Sequence, residues 1–153
     1  MPGLPDPAQQ LADIEAIKQL KARYFRFVDT KDWTALRSLF TDDARHHYVD
    51  ADGTENFTSN DDYFPMMESM LTNGVTTHHG HTPEITLLGA TEAEGIWAML
   101  DYVQCEMPHG RESLMGYGHY FETYRKGDDG VWRISSKRNV RLRVDEVPWT
   151  LPG

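Results

Sequence analysis

Three of the chain's seven histidines, His78, His79 and His81, fall within four positions of the stretch THHGHTPEI. Neutral imidazoles bind transition metals. A single ring held beside a carboxylate instead takes up and returns protons near neutral pH. In a strand successive side chains face opposite ways, so His79 and His81 share one face while His78 and Gly80 share the other. A metal site would use the His79–His81 pair with a third ligand, His119 or Glu84, because two ligands alone make a weak site. Acid–base chemistry would need one of these rings in a pocket with a carboxylate that fixes its tautomer. A solvated sheet face is the third alternative, and it is the expectation for His46, His47 and His109. The local pattern leaves all three open.

The elements around this stretch divide the chain in two. From Asp13 to Val28 the residues Ile14, Ile17, Leu20, Tyr24, Phe27 and Val28 recur at three- and four-residue steps, which predicts a helix with one buried stripe and Asp13 as its cap. A short helix is expected from Trp33 to Phe40, followed by a hairpin around Asp52-Gly53. Ser59 with Asp62 resembles a capping box opening a third helix through about Leu71, with Pro65 late for a first turn. After Gly74, VTTHHGHTPEITLL, AEGIWAMLDYVQCEM, LMGYGHYFETYRK and GVWRISSKRNVRLRV read as four strands. The connections between them are too short for crossover helices, so the strands are mostly antiparallel. Helices first and strands after predict an α+β domain, a curved sheet with helices on one face.

At 153 residues the chain fits one domain. Residues 1–12, rich in proline, read as a loose leader, 13–147 as the domain and 148–153 as a tail. With 4 Trp, 7 Tyr and 6 Phe, the chain has the make-up of a globular protein with an aromatic interior. A formal net charge of −9 argues against nucleic acid or an anionic membrane as partner. No apolar run approaches the roughly 20 residues of a membrane span. The lone Cys105 excludes an intrachain disulfide and fits a reducing compartment, so the expected location is the cytoplasm.

The first helix IEAIKQLKARYFRFVDTKDW, then THHGHTPEI, GIWAMLDY and GYGHYFETYRK…WRISSKRNVRLR, together resemble the SnoaL-like branch of the NTF2-like superfamily. Within it the pattern is most similar to the bacterial bile acid 7α-dehydratases and more distantly to the scytalone dehydratases. The likeness runs from about Ile14 to Arg143. It implies a cone-shaped barrel whose sheet and three helices enclose a cavity, with no cofactor and no metal. It also implies a small hydrophobic carbonyl compound as substrate. Assembly would be as a homotrimer, or else a dimer, through an outer sheet face bearing Ile96, Ala98 and Leu100.

Carried over residue by residue, the resemblance assigns the cavity base to His78, its orienting carboxylate to Asp29 and a hydrogen-bond donor for the substrate oxygen to Tyr24. Asp101 and Arg141 become a cavity pair that anchors a polar group or assists a departing hydroxyl. Trp97 and Met99 share the parity of Asp101 and, with Gly80, are the expected substrate contacts. An additional pocket tyrosine and a second histidine of the scytalone dehydratases have no clear counterparts. Each residue also has a plainer reading: Tyr24 as core, Asp29 as a helix end, Asp101 as an exposed strand residue, Arg141 as part of a solvated basic face. Because Tyr24 and Asp29 lie about 140° apart on an ideal helix, sharing a pocket calls for the helix to end or turn near Val28. The implied activity is a cofactor-independent dehydratase, with an isomerase, a cyclase, another eliminating enzyme or a non-catalytic ligand-binding protein as alternatives.

Overall fold

The computed structural model describes residues 3–151. Helix α1 (Pro7–Thr30) begins six residues earlier than its apolar stripe predicts. Asp6 caps it by accepting from the N–H groups of Ala8 and Gln9, and Pro7 occupies the first turn, where its missing N–H costs nothing. Residues 7–12, half of the expected leader, are therefore helical, and Met1 and Pro2 lie outside the described residues. Asp13 is not a cap but a buried side chain that accepts from the Trp132 indole at 2.9 Å and pairs with Lys126 at 2.6 Å. The stripe Ile17, Leu20, Tyr24 and Val28 is buried as expected. The helix continues past Val28 and stops at Lys31, whose left-handed backbone (φ 62°) lets its N–H return to the carbonyls of Phe27 and Val28.

Helix α2 (Trp33–Ser38) is capped by Asp32 and ends two residues short of Phe40. Phe40 instead opens strand β1 (Phe40–Val49), which turns through Asp52-Gly53 into β2 (Glu55–Ser59). Gly53 supplies the turn's positive φ of 87°. Helix α3 (Asn60–Leu71) does follow Ser59, but the Ser59 side chain makes no capping bond, so the expected box does not form; Pro65 lies inside the helix.

The four expected strands are β3 (Val75–Leu87), β4 (Glu92–Met107), β5 (Gly110–Lys126) and β6 (Trp132–Glu146), paired antiparallel in sequence. Strand β6 also pairs parallel with β1, giving a six-stranded curved mixed sheet in the order β2-β1-β6-β5-β4-β3. This is the α+β cone architecture that the resemblance implies. Register shifts set which side chains face inward. In β6, Thr123 pairs with Ser136 and Tyr124 with Ile134, so Ser135 is an extra residue; inward positions switch from Trp132 and Ile134 to Lys137, Asn139 and Arg141. A second bulge leaves Leu142 extra between Arg141 and Arg143. Among the described residues no helix is long and apolar enough to cross a membrane.

Candidate active site

Strand alternation turns His78 toward α1, where Asp29 meets it. The His78 ring Nδ1 lies 2.7 Å from Asp29 Oδ1, and the His78 backbone N–H donates to Oδ2 at 2.9 Å. Thr76, two residues earlier on the same face, donates its hydroxyl to Oδ1 at 2.9 Å and accepts from Lys31 Nζ at 2.8 Å. Burial works against ionisation of Asp29, but the hydrogen bonds from the His78 ring and backbone and the charge of that ring, together with the Thr76 bond, prevail and hold its carboxyl below the usual carboxylate range. An ionised Asp29 accepting at Nδ1 fixes the tautomer of a neutral ring, with the proton on Nδ1 and the lone pair on Nε2.

Nε2 faces the Asp101–Arg141 pair. Asp101 is the cross-strand partner of His78, and its Oδ2 lies 4.0 Å from Nε2. Arg141 holds Asp101 with a two-pronged contact, Nη1 to Oδ1 at 2.9 Å and Nη2 to Oδ2 at 2.6 Å. Burial opposes the Arg141 charge, yet the bonds and charge of Asp101 outweigh it and raise the guanidinium pKa further. The next residue in that cross-strand row is Gly116, and it has to be glycine: a Cβ there would collide with the Arg141 guanidinium and the Asp101 carboxylate.

These groups open on a cavity of about 1050 Å³ lined by Tyr24, His78, Asp101, Tyr120, Asn139 and Arg141 at its polar end. Its apolar wall comes from Met66, Met67 and Met70 of α3, with Val103, Cys105, Met107, Leu114, Val144, Val147 and Trp149. Four of the five expected catalytic residues line it, while Asp29 stands behind His78. The helix does not have to end at Val28 for this. Tyr24 points to β6, where its oxygen accepts from Lys137, and Asp29 points to β3, so one helix serves the site from two sides.

Three expectations are corrected. Trp97, Met99 and Gly80 do not line the cavity. Trp97 and Met99 cluster with Tyr120, Phe25 and Ile85 behind it, and a Cβ on Gly80 would press on the Phe25 ring at 2.7 Å. The Trp97 indole donates to Tyr124 at 2.9 Å, and Tyr124 donates to Glu122, which also takes Lys21 at 2.5 Å. That Lys21 is sealed from water, and burial brings its pKa down to about 8 despite Glu122. His46 is no surface residue either: it is 1% exposed, stacked on Tyr63 at 3.7 Å, and donates from Nε2 to Asn60 at 2.9 Å. Burial, with Lys137 nearby, drops its pKa to about 3. Finally, the basic run of β6 is not simply a solvated face, because Lys137 is buried against Tyr24, Tyr48 and Tyr63. Tyr48 and Tyr120 also give the cavity more phenols than the sequence comparison suggested. His79 and His81 stack on the outer face at 6.1 Å, and among the described residues no group of three His, Cys, Asp or Glu is placed to hold a metal.

A family model described as a SnoaL-like domain matches residues 9–138. A protein of Gibberella zeae named as a probable cyclase is 28% identical over 144 residues, covering 88% of this chain and 91% of its own length. Among solved structures, a protein of Novosphingobium aromaticivorans provisionally named scytalone dehydratase superposes with a TM-score of 0.73 at 22% identity, over 92% of this chain and 91% of that one. A hexachlorocyclohexane dehydrochlorinase of Novosphingobium barchaimii gives a TM-score of 0.73 at 19% identity, over 94% and 97%. At such identities the structures speak for a shared fold alone.

Proposed function

Because the chain belongs to the SnoaL-like domain family, we propose that its cavity catalyses the removal of water from a hydrophobic hydroxy-carbonyl compound, with no cofactor. The observation that carries this reading is the His78 ring, tied to Asp29 through Nδ1 at 2.7 Å while Nε2 faces the cavity and the Asp101–Arg141 pair. Nε2 takes the proton beside the carbonyl, and the C–H electron pair becomes an enolate. Asp29 stabilises the resulting imidazolium, and Tyr24 donates to the enolate oxygen. The enolate then collapses, the C–O bond to the β-hydroxyl breaks, and the departing hydroxide takes the proton back from Nε2 as water. Arg141 donates to that oxygen as charge develops on it. Every atom balances without a co-reactant. The cavity volume of about 1050 Å³ lies just above the roughly 300–1,000 Å³ of small-molecule sites. With its methionine-rich wall it suits a polycyclic, steroid- or polyketide-like substrate better than a sugar or phosphate ester.

The Gibberella zeae relative favours one further reading: the same base and the same enolate, with carbon–carbon bond closure onto an internal carbonyl. Both are tested by offering a panel of hydroxy-ketones and hydroxy-steroids and weighing the products. The expected product is lighter by one water, and in His78→Ala, with unchanged circular dichroism, the rate falls by about 10²–10⁴-fold. A product of unchanged mass would assign cyclisation or isomerisation instead, and full activity in His78→Ala would remove the histidine from the chemistry.

A further inference from the structure

The acid–base scheme leaves one buried charge unused. Lys137 is 1% exposed, and its Nζ donates to three phenol oxygens, Tyr48 at 2.8 Å and Tyr24 and Tyr63 at 3.0 Å each. An ammonium has three N–H groups and no lone pair, so three oxygens saturate it. Among the described residues no carboxylate lies within ion-pair distance of it. Glu122, its cross-strand neighbour, is engaged by Lys21 at 2.5 Å and by Tyr124 at 2.6 Å, and Asp101 by Arg141 at 2.6 Å. Lys21 and Arg141 therefore each have a counter-ion in the interior, whereas Lys137 has only neutral dipoles. Enclosing a charge on those terms is costly unless an anion is at some stage brought to it.

We propose that Lys137 is a positioning residue that makes Tyr24 and Tyr48 an oxyanion site for the carbonyl oxygen of the substrate. The proposal rests on the enolate reading above. With lone pairs of both phenol oxygens committed to Lys137, their own protons must go elsewhere. Both residues line the cavity, whereas Tyr63 is fully buried and does not. Tyr48 has one long contact to the Tyr63 oxygen at 3.3 Å, well beyond a good O–H···O bond. Among the described hydrogen bonds Tyr24 donates in none. Burial, ahead of the neighbouring Tyr120 and Tyr48, outweighs the lowering effect of its contact with Tyr63 and holds its pKa well above that of a free phenol, so it serves as a proton donor and not as a phenolate.

A phenol whose oxygen already accepts from a cation is a stronger donor, and the gain grows with the charge on its acceptor. Tyr24 and Tyr48 therefore bind a ketone oxygen weakly and an enolate oxygen strongly, with Lys137 one hydrogen bond behind. When His78 removes the neighbouring proton, the C–H pair forms the new C=C bond and the C=O π pair moves onto oxygen. No proton leaves the tyrosines. The imidazolium is then matched by Asp29 and the enolate by Lys137. A planar phenolate is the corresponding stable ligand class.

Titrating the protein with 3,4-dinitrophenol tests this without any substrate, since its neutral and ionised forms absorb differently. Wild type should bind the ionised form tighter than the neutral form by at least about tenfold, the scale of a hydrogen bond to a charged group. Lys137→Met should lose about tenfold in affinity for the ionised form while holding the neutral form nearly unchanged. Tyr24→Phe should lower the preference in the same direction with the lysine still present. His78→Ala should keep the preference, so failure of the acid–base reading and failure of this one are separable. Wild type binding both forms equally, or a folded Lys137→Met binding the ionised form as well as wild type, would overturn the proposal. Should Lys137→Met fail to fold, the wild-type preference and its loss in Tyr24→Phe decide the matter.

Discussion

Asp29 on α1 commits His78 to one orientation and one tautomer, and Thr76, on the histidine's own strand, holds that carboxylate in place. The free nitrogen of His78 is aimed at a carboxylate that Arg141 already holds, so the pair facing the imidazole is a fixed dipole and not a loose charge. Gly116 makes that arrangement possible, and its replacement is the sharpest local test. In Gly116→Ala the added methyl meets the movable ends of Arg141 and Asp101 and not backbone, so the chain should fold with a nearly unchanged urea midpoint while the pair is displaced. A displacement of about 1 Å is worth on the order of 10²-fold in kcat/KM. An unaltered rate would show that the pair takes no part. At this scale strand alternation separates His78 from His79 and His81, and the resemblance picks out His78 together with Asp29, Tyr24, Asp101 and Arg141. Neither yields Gly116, because a glycine in a strand looks the same whether it clears space or merely weakens the strand.

The elements themselves were legible where periodicity is strong. The stripe of α1 and the four long strands follow directly from spacing and turn residues. What spacing misses are the bulges. An uninterrupted alternation through β6 from Trp132 would send Lys137, Asn139 and Arg141 outward, and the extra residue at Ser135 is what turns them in. A run reading KRNVRLR thus delivers two cations to the interior. His46 on β1 is the other case, since a residue in the middle of ARHHYV carries no mark of burial. Its folded-state pKa of about 3 lies below the ordinary value of about 6.5. Above pH 6.5 neither state is protonated there and the stability is complete. As pH falls from 6.5 toward 3 the unfolded chain takes up a proton that the folded chain does not, so stability declines by up to about 1.4 kcal/mol per pH unit. Urea unfolding from pH 7 to pH 4.5 should show that decline, and His46→Phe, which keeps the stack on Tyr63, should flatten it. Parallel slopes in the two proteins would mean that His46 is not held neutral by the fold.

For the whole molecule, the curved sheet and α1 converge on a cavity with an ordered polar end, a methionine-rich apolar wall and further polar lining from residues such as Asp50, Asp52, Arg111 and Glu112. The polar end combines a carboxylate-tethered imidazole, a guanidinium–carboxylate pair and phenols backed by an ammonium, while α3 supplies much of the apolar wall. The resemblance implied the cavity, but strand parity with Asp101 placed its apolar lining on Trp97 and Met99, which instead pack against Phe25 behind it. Only the path of α1 across the sheet, which no periodicity encodes, settles that. The central claim is that His78 takes a proton from carbon beside a carbonyl. The direct measurement is deuterium uptake from D₂O at that carbon, followed by NMR, in cyclic and steroidal ketones that lack a leaving hydroxyl and so cannot proceed further. Wild type should catalyse the exchange, Asp29→Asn should do so more slowly, and folded His78→Ala should not exceed the rate in buffer alone. Exchange in His78→Ala at the wild-type rate would contradict the claim.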